Sequence, residues 1–394
     1  MKNMGNSIKL SVMVASAFAF MTAFFGGGWA TGQMANVYGV SFGWTGIIFP
    51  LIGLALICVV SWIVVEYSRL NNTWNYGAFM EKFYGTKIVK WIFDVIQIVG
   101  MPISYAVSVA TFASTMKQFI GGPYLMWIVV FDLIVLVSVI WGTAVVNKLS
   151  AYMGTAILIL LVVIFVTVII TGNGSNVMNM ISNRTMNVSY GEAFYKSSIK
   201  LFMVTGSLAL MILPSFEPVQ KRSDVTKTVL LSFLFSASFI FIVCFNVQAF
   251  APQSIVQEVP IMYAIQQMGT GWMVPIYVMI VVLAVVTTAN TMGLGYCKRF
   301  STFSFIANWK AQDRTKTIVI MIFILVISSA VSIFGLTNIL SVGFTILGYL
   351  NIPLITIGLP VLGIAKLVQI RRRHYSLEKG SLEKKSSWCM FQEK

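Results

Sequence analysis

What most constrains this chain is a series of ten long apolar segments, at about 10–38, 43–65, 89–117, 124–143, 150–171, 196–218, 228–250, 272–297, 316–335 and 338–366. Each is near or above the roughly 20 residues that an α-helix needs to cross about 30 Å of hydrocarbon. Lipid offers no partner to a peptide N–H or C=O, so only helices and closed barrels span it. The apolar runs are continuous rather than alternating, which excludes the roughly ten-residue dyad segments of a barrel. An all-α integral membrane protein with about ten transmembrane helices is therefore expected. The composition agrees, because 58% of the 394 residues are hydrophobic and 10% charged, against roughly 25% charged in a soluble domain. The first segment is too long for the apolar core of a signal peptide and reads as an uncleaved first helix.

The basic residues predict the orientation. With the N-terminus inside, only Lys117, Arg184, Lys196 and Lys200 fall outside, and the other 23 of the 27 Lys and Arg fall inside. Both termini are then cytoplasmic, and the location expected is the bacterial inner membrane. The same bias accounts for the net charge of +15 through anionic lipid headgroups rather than nucleic acid. The domain plan is a cytoplasmic N-terminus (1–9), a first group of five helices (10–171), an extracytoplasmic loop (172–195), a second group of five (196–366) and a basic cytoplasmic tail (367–394). Residues 66–88 read as an amphipathic cytoplasmic stretch. Cys58, Cys244, Cys297 and Cys389 form no CxxC pair, so neither a disulfide framework nor a metal site is read. The single histidine, His374, lies in the tail. No catalytic triad, phosphate loop or pair of catalytic carboxylates can be assembled, so the chain does not read as an enzyme or a primary pump.

The first segment contains Phe25-Gly26-Gly27-Gly28-Trp29-Ala30-Thr31-Gly32-Gln33. Glycine costs about 1 kcal/mol in a helix interior, and a consecutive run of three predicts an unwound stretch. The other reading is a close-packing glycine face, which needs spaced glycines. Unwound backbone in a membrane is tolerated only where it lines a cavity or is buried in protein. The sixth segment is interrupted in parallel by Thr205-Gly206-Ser207-Leu208, with Pro214 and Pro218 following. Two groups of five spans must enter the membrane from opposite sides, which makes a 5+5 inverted repeat with helices 1 and 6 broken. Matching interruptions in the two halves are the best sequence pointer to a transporter's binding site. In the eighth segment Ala284, Thr287 and Thr288 lie at i, i+3 and i+4, on one helical face. One carbonyl and two hydroxyls there offer oxygen ligands for Na⁺; the alternative is that the threonines bond back to their own helix.

The stretch from Phe25 to Gln33 resembles the YkvI-like bacterial membrane proteins of the amino acid–polyamine–organocation superfamily, whose members share the LeuT-type fold. Met34 stands where that family's pattern has Glu. The resemblance implies a sodium site between the first and eighth helices, with carbonyls near Thr22 and Phe25 joining Ala284, Thr287 and Thr288. It also implies a substrate site among Gly26, Gly27, Gly28, Trp29, Ala30, Thr31, Thr205, Gly206, Ser207 and Leu208, with Tyr105 of the third helix beside them. Intramembrane carboxylates are functional candidates, and Asp94 and Asp132 are the coupling candidates. Glu66 and Glu217 lie near helix ends, where pairing with Arg69 or Arg222 explains them. The function expected is secondary active transport of a small solute, an amino acid or related zwitterion, coupled to Na⁺ or H⁺ by alternating access, with no cofactor. The alternative is a non-transporting nutrient receptor subunit resembling those of spore germination, and a weaker third is a channel.

Overall fold

The structure, a computed structural model, describes residues 9–141, 143–301, 303–370 and 372. Residues 1–8 of the expected cytoplasmic N-terminus, and most of the basic tail with His374 and Cys389, lie outside the described residues. Among the described residues every regular element is helical. Six helices are long and apolar enough to cross a bilayer unaided: the second span (Phe49–Asn71), third (Lys87–Ile120), seventh (Arg222–Gln248), eighth (Met273–Phe300), ninth (Asp313–Ser332) and tenth (from Leu336). The fourth (Tyr124–Trp141) and fifth (Thr143–Ile170) are also helical. The remaining two, the first and the sixth, are interrupted within their glycine-containing stretches, so ten helical segments stand where the ten spans are expected.

Packing follows the two-fold logic of the repeat. The first span packs on the seventh and the sixth on the second; the eighth packs on the fifth and the third on the tenth. Each of these pairs becomes the other when every span is exchanged for the one five further on. The contacts of second with seventh, third with eighth and fourth with ninth map onto themselves. The fourth span shows what faces lipid. Leu125, Val129, Leu133 and Val137 are exposed and recur every four residues on one face, while Ile128, Phe131 and Val135 are buried on the other.

The two ends differ. One, here the basic end, carries the short helix Tyr76–Tyr84 inside the expected amphipathic stretch 66–88. There Glu66 forms a bidentate pair with Arg69 at 2.8 Å, with Arg222 at 4.0 Å, as its position at a helix end predicts. The opposite end is covered by the helices Gly174–Ser182, bent 75° from the end of the fifth span, and Pro260–Gln267. Residues 39–46 form two short 3₁₀ turns rather than the start of the second helix. Gly43 permits this with φ 88°, because a Cβ there would lie 2.3 Å from the Thr185 carbonyl.

Candidate functional site

The first span breaks twice. Leu10–Phe24 is helical, Phe25 and Gly26 leave the helix (Gly26 ψ −175°), Gly27–Ala30 makes one turn, and Gly32 at φ 84° allows a second break before Gln33–Tyr38. The predicted unwinding is thus centred on Phe25–Gly26, and Gly27 and Gly28 are helical. Their lack of side chains serves close packing instead. A Cβ on Gly27 would lie 2.9 Å from Thr111 Oγ1 and 3.1 Å from Val285, and one on Gly28 would lie 2.8 Å from Met34. Gly26 has nothing within 4 Å of such an atom and faces open space. Both readings of the glycine run therefore hold, at different residues. The sixth span is kinked rather than unwound. Gly206 and Ser207 keep right-handed helical angles, but Ala209 and Leu210 donate to carbonyls three residues back instead of four.

Between these breaks lies a cavity of about 640 Å³, walled by the first, third, sixth, eighth and tenth spans. Gly26, Gly27, Gly28 and Trp29 of the first span line it, as do Thr205, Ser207 and Leu208 of the sixth. The third span contributes Gln97, Ser104 and Ser108, and the eighth Thr291, Tyr296 and Arg299. Gln97, Ser104, Ser108 and Thr111 are spaced by seven, four and three residues, one face of a helix. That polar stripe is legible in the sequence from its helical spacing, independently of the glycine breaks. Trp29 packs with Phe24 and Phe25 at ring-centroid distances of 5.7 and 5.6 Å, forming an aromatic cluster at the first break. Its indole Nε1 is buried without a partner, as is Thr111 Oγ1 beside Gly27.

Other expected residues sit beside this cavity or away from it. Ala30 and Thr31 are above it: the Ala30 carbonyl accepts from Tyr277 Oη at 3.0 Å and the Thr31 carbonyl from the Ile261 amide at 3.1 Å. Gly206 packs against Ile355. Tyr105 is fully buried against Gly293 of the eighth span and is absent from the cavity wall, where its neighbour Ser104 stands instead. Thr287 and Thr288 donate to the Ala284 carbonyl at 2.9 and 2.8 Å, and Thr22 donates to the Ala19 carbonyl at 3.1 Å. This is the back-bonding the sequence left open, and a hydroxyl that donates in this way keeps lone pairs for a cation. Val285 packs on Gly27, so this stretch of the eighth span adjoins the first-span break, where Phe25 stacks on Phe239.

The two carboxylate candidates have different surroundings. Asp94 is buried at the basic end of the cavity, ion-paired with Arg299 of the eighth span and accepting from Tyr76 Oη at 3.1 Å. Asp132 is remote from the cavity, between the fourth and ninth spans. One of its oxygens accepts from Ser329 Oγ at 2.7 Å, and the other is buried with no partner.

The cavity is open toward the basic end, where Tyr76, Asp94 and Arg299 rim it. The opposite end is shut by hydrogen bonds that join distant segments. Gln33 donates to Thr337 at 2.6 Å, Asn36 to the Ile255 carbonyl at 2.6 Å and Tyr38 to the Leu340 carbonyl at 2.8 Å. Glu258 accepts from Ser114 on the third span. One end open and the other sealed is a state that an alternating-access cycle requires.

No family model matches the chain, and no curated protein matches it in sequence. Among solved structures, a Na⁺-coupled sialic acid symporter captured in a substrate-bound outward-open state is similar in fold. It is 13% identical, with a TM-score of 0.60, over 89% of this chain and 79% of that one. The likeness shows the LeuT-like architecture; the YkvI-like resemblance rests on the first-span motif alone.

Proposed function

We propose that this multi-pass membrane protein is an ion-coupled symporter that carries a small zwitterionic solute, amino acids first, by alternating access. The observation that carries this reading is the cavity itself. It lies between the broken first span and the kinked sixth, it reaches one end only, and the far end is sealed by side chains rather than by a continuous apolar core. Its wall is largely apolar, with aromatic faces at Trp29, Tyr76 and Tyr296, and is interrupted by the Gln97 amide and the hydroxyls of Ser104, Ser108, Thr205, Ser207 and Thr291, which suits a solute with polar and apolar parts. Among the described residues the one cationic side chain in the wall, Arg299, is ion-paired with Asp94, so these residues carry little net charge. That favours a zwitterion over a multiply charged anion. Sodium is the leading coupling ion, held at Thr22, Phe25, Ala284, Thr287 and Thr288, and Asp132 is the candidate carrier if protons couple instead. The solved neighbour's own coupling to Na⁺ supports the sodium choice.

The experiment is a thermal-shift screen of the purified protein against amino acids, each in Na⁺ and in K⁺, followed by flux into proteoliposomes. A ligand present at a hundred times its Kd stabilises by about 2.7 kcal/mol. A hit that needs Na⁺ and is accumulated against its gradient supports the symporter. A hit with no flux replaces it with the receptor subunit.

A further inference from the structure

A second, smaller void opens off the main cavity between the third, sixth and tenth spans. It measures about 70 Å³ and is reached past Gln97, Ser104 and Ser207, which wall both spaces. Its inner end is made by Gly100 and Asn351. Among the described residues none of the first or eighth span lines it, and Thr22, Phe25, Ala284, Thr287 and Thr288 of the sodium candidate are not in its wall. Two glycines let the spans around it approach closely. A Cβ on Gly100 would lie 3.1 Å from Leu347, and one on Gly348 would lie 3.2 Å from Val204. The third and sixth spans are thereby both drawn against the tenth.

The polar content of this annex is uncharged: two side-chain amides and two hydroxyls. Asn351 is 3% exposed, and its Oδ1 has no hydrogen-bond partner. A buried amide oxygen without a donor is unfavourable, so such an oxygen calls for a partner. Asn351 is also where the α-helical turn Phe344–Asn351 passes into the π-helical segment Ile352–Gly358, and π turns within helices concentrate at functional sites. A water needs only about 10–15 Å³ of such space, so the void admits an ion together with water. Neutral carbonyl and hydroxyl oxygens are the donors that replace the hydration shell of a monovalent cation.

We infer that the annex is a second cation subsite, which takes a small monovalent cation on Asn351 Oδ1, the Gln97 side-chain carbonyl and the hydroxyls of Ser104 and Ser207. The cation is Na⁺ itself or the ammonium end of a solute lying in the main cavity. Its occupant ties the sixth span to the third and tenth. The main cavity then holds the rest of the solute, and the annex accounts for an orphan oxygen that no described residue satisfies.

The test uses purified full-length protein without solute, in the Thr288→Ala background so that the other sodium candidate is weakened. Melting is followed in NaCl, methylammonium chloride and choline chloride at equal ionic strength. The expected result is a saturable rise in Tm with Na⁺ or with methylammonium and none with choline. Asn351→Ala should raise the half-saturating concentration about tenfold, and Asn351→Asp, which adds a charge, should lower it about tenfold, each about 1.4 kcal/mol. The gain in Asn351→Asp is an effect that misfolding cannot produce. A Na⁺ response identifies the ion, and a methylammonium response alone identifies the solute's ammonium group. Identical responses to all three salts, or half-saturation unmoved by both substitutions, overturns the subsite. Solute flux is read separately in proteoliposomes. Absent flux with an intact cation response rejects transport and leaves the annex, and intact flux without the cation response does the reverse.

Discussion

At the residue scale, two adjacent glycines make opposite predictions. Gly26 faces space, so Gly26→Ala should leave Tm nearly unchanged while altering solute affinity. Gly27 lies against Thr111 and Val285, so Gly27→Ala inserts a methyl into a closed contact, which costs about 1–3 kcal/mol. Melting curves and solute titrations of the two variants separate these effects, and equal Tm losses would contradict the geometry. Thr288→Ala should raise the Na⁺ concentration that gives half-maximal solute uptake, measured by isotope flux against a Na⁺ series. An unchanged series would remove the sodium role from the eighth span. The run Gly26-Gly27-Gly28 announced that the first span is special, yet it could not say which glycine yields the break and which the contact. That division depends on Thr111, Val285 and Met34, whose approach is set by packing of the third and eighth spans.

At the scale of elements, the pair formed by Asp94 and Arg299 links the third span to the eighth at the mouth of the cavity. Asp94 is buried and Arg299 only partly so. Removing one partner of a buried pair leaves an uncompensated charge, at a cost of order 3 kcal/mol. Asp94→Asn and Arg299→Gln should each destabilise by that order, and the double variant should recover most of the loss in a thermodynamic cycle. Additive losses would mean that the pair contributes nothing in common. Span number, span order and the two breaks were legible because hydropathy and glycine placement are local properties. The partner of Asp94 was not, because 205 positions separate it from Arg299 and no pattern of charge links them. Tyr105 illustrates the same limit: it is one residue from Ser104, but a helix turns by about 100° per residue and so sends the two side chains to different faces.

For the molecule as a whole, the open basic end and the sealed opposite end predict one-sided access. Ser108→Cys, in the cavity wall, should react with an impermeant thiol reagent only from the basic end, in a background lacking Cys389. Cys58, Cys244 and Cys297 are buried and should stay silent. Thr337→Cys, at the sealed end, should react slowly from either side. Gln33→Ala removes one of the bonds that hold that end shut and should raise the labelling rate of Ser108→Cys from the far side. Oriented vesicles of both polarities give the measurement. Equal labelling of Ser108→Cys from both faces would contradict a cavity with one mouth.

The size of that cavity has a thermodynamic side. At about 640 Å³, and about 30 Å³ per molecule in the liquid, it holds on the order of twenty waters. A small solute displaces only some of them. To occlude, the protein must return the remainder to the bath, so the chemical potential of water enters the equilibrium between open and occluded forms. An osmolyte too large to pass Tyr76 and Arg299 draws that water out and favours occlusion. The protein is in this sense an osmometer one cavity deep, and the sign of its response to such an osmolyte reports whether the cavity fills or empties as the conformation changes.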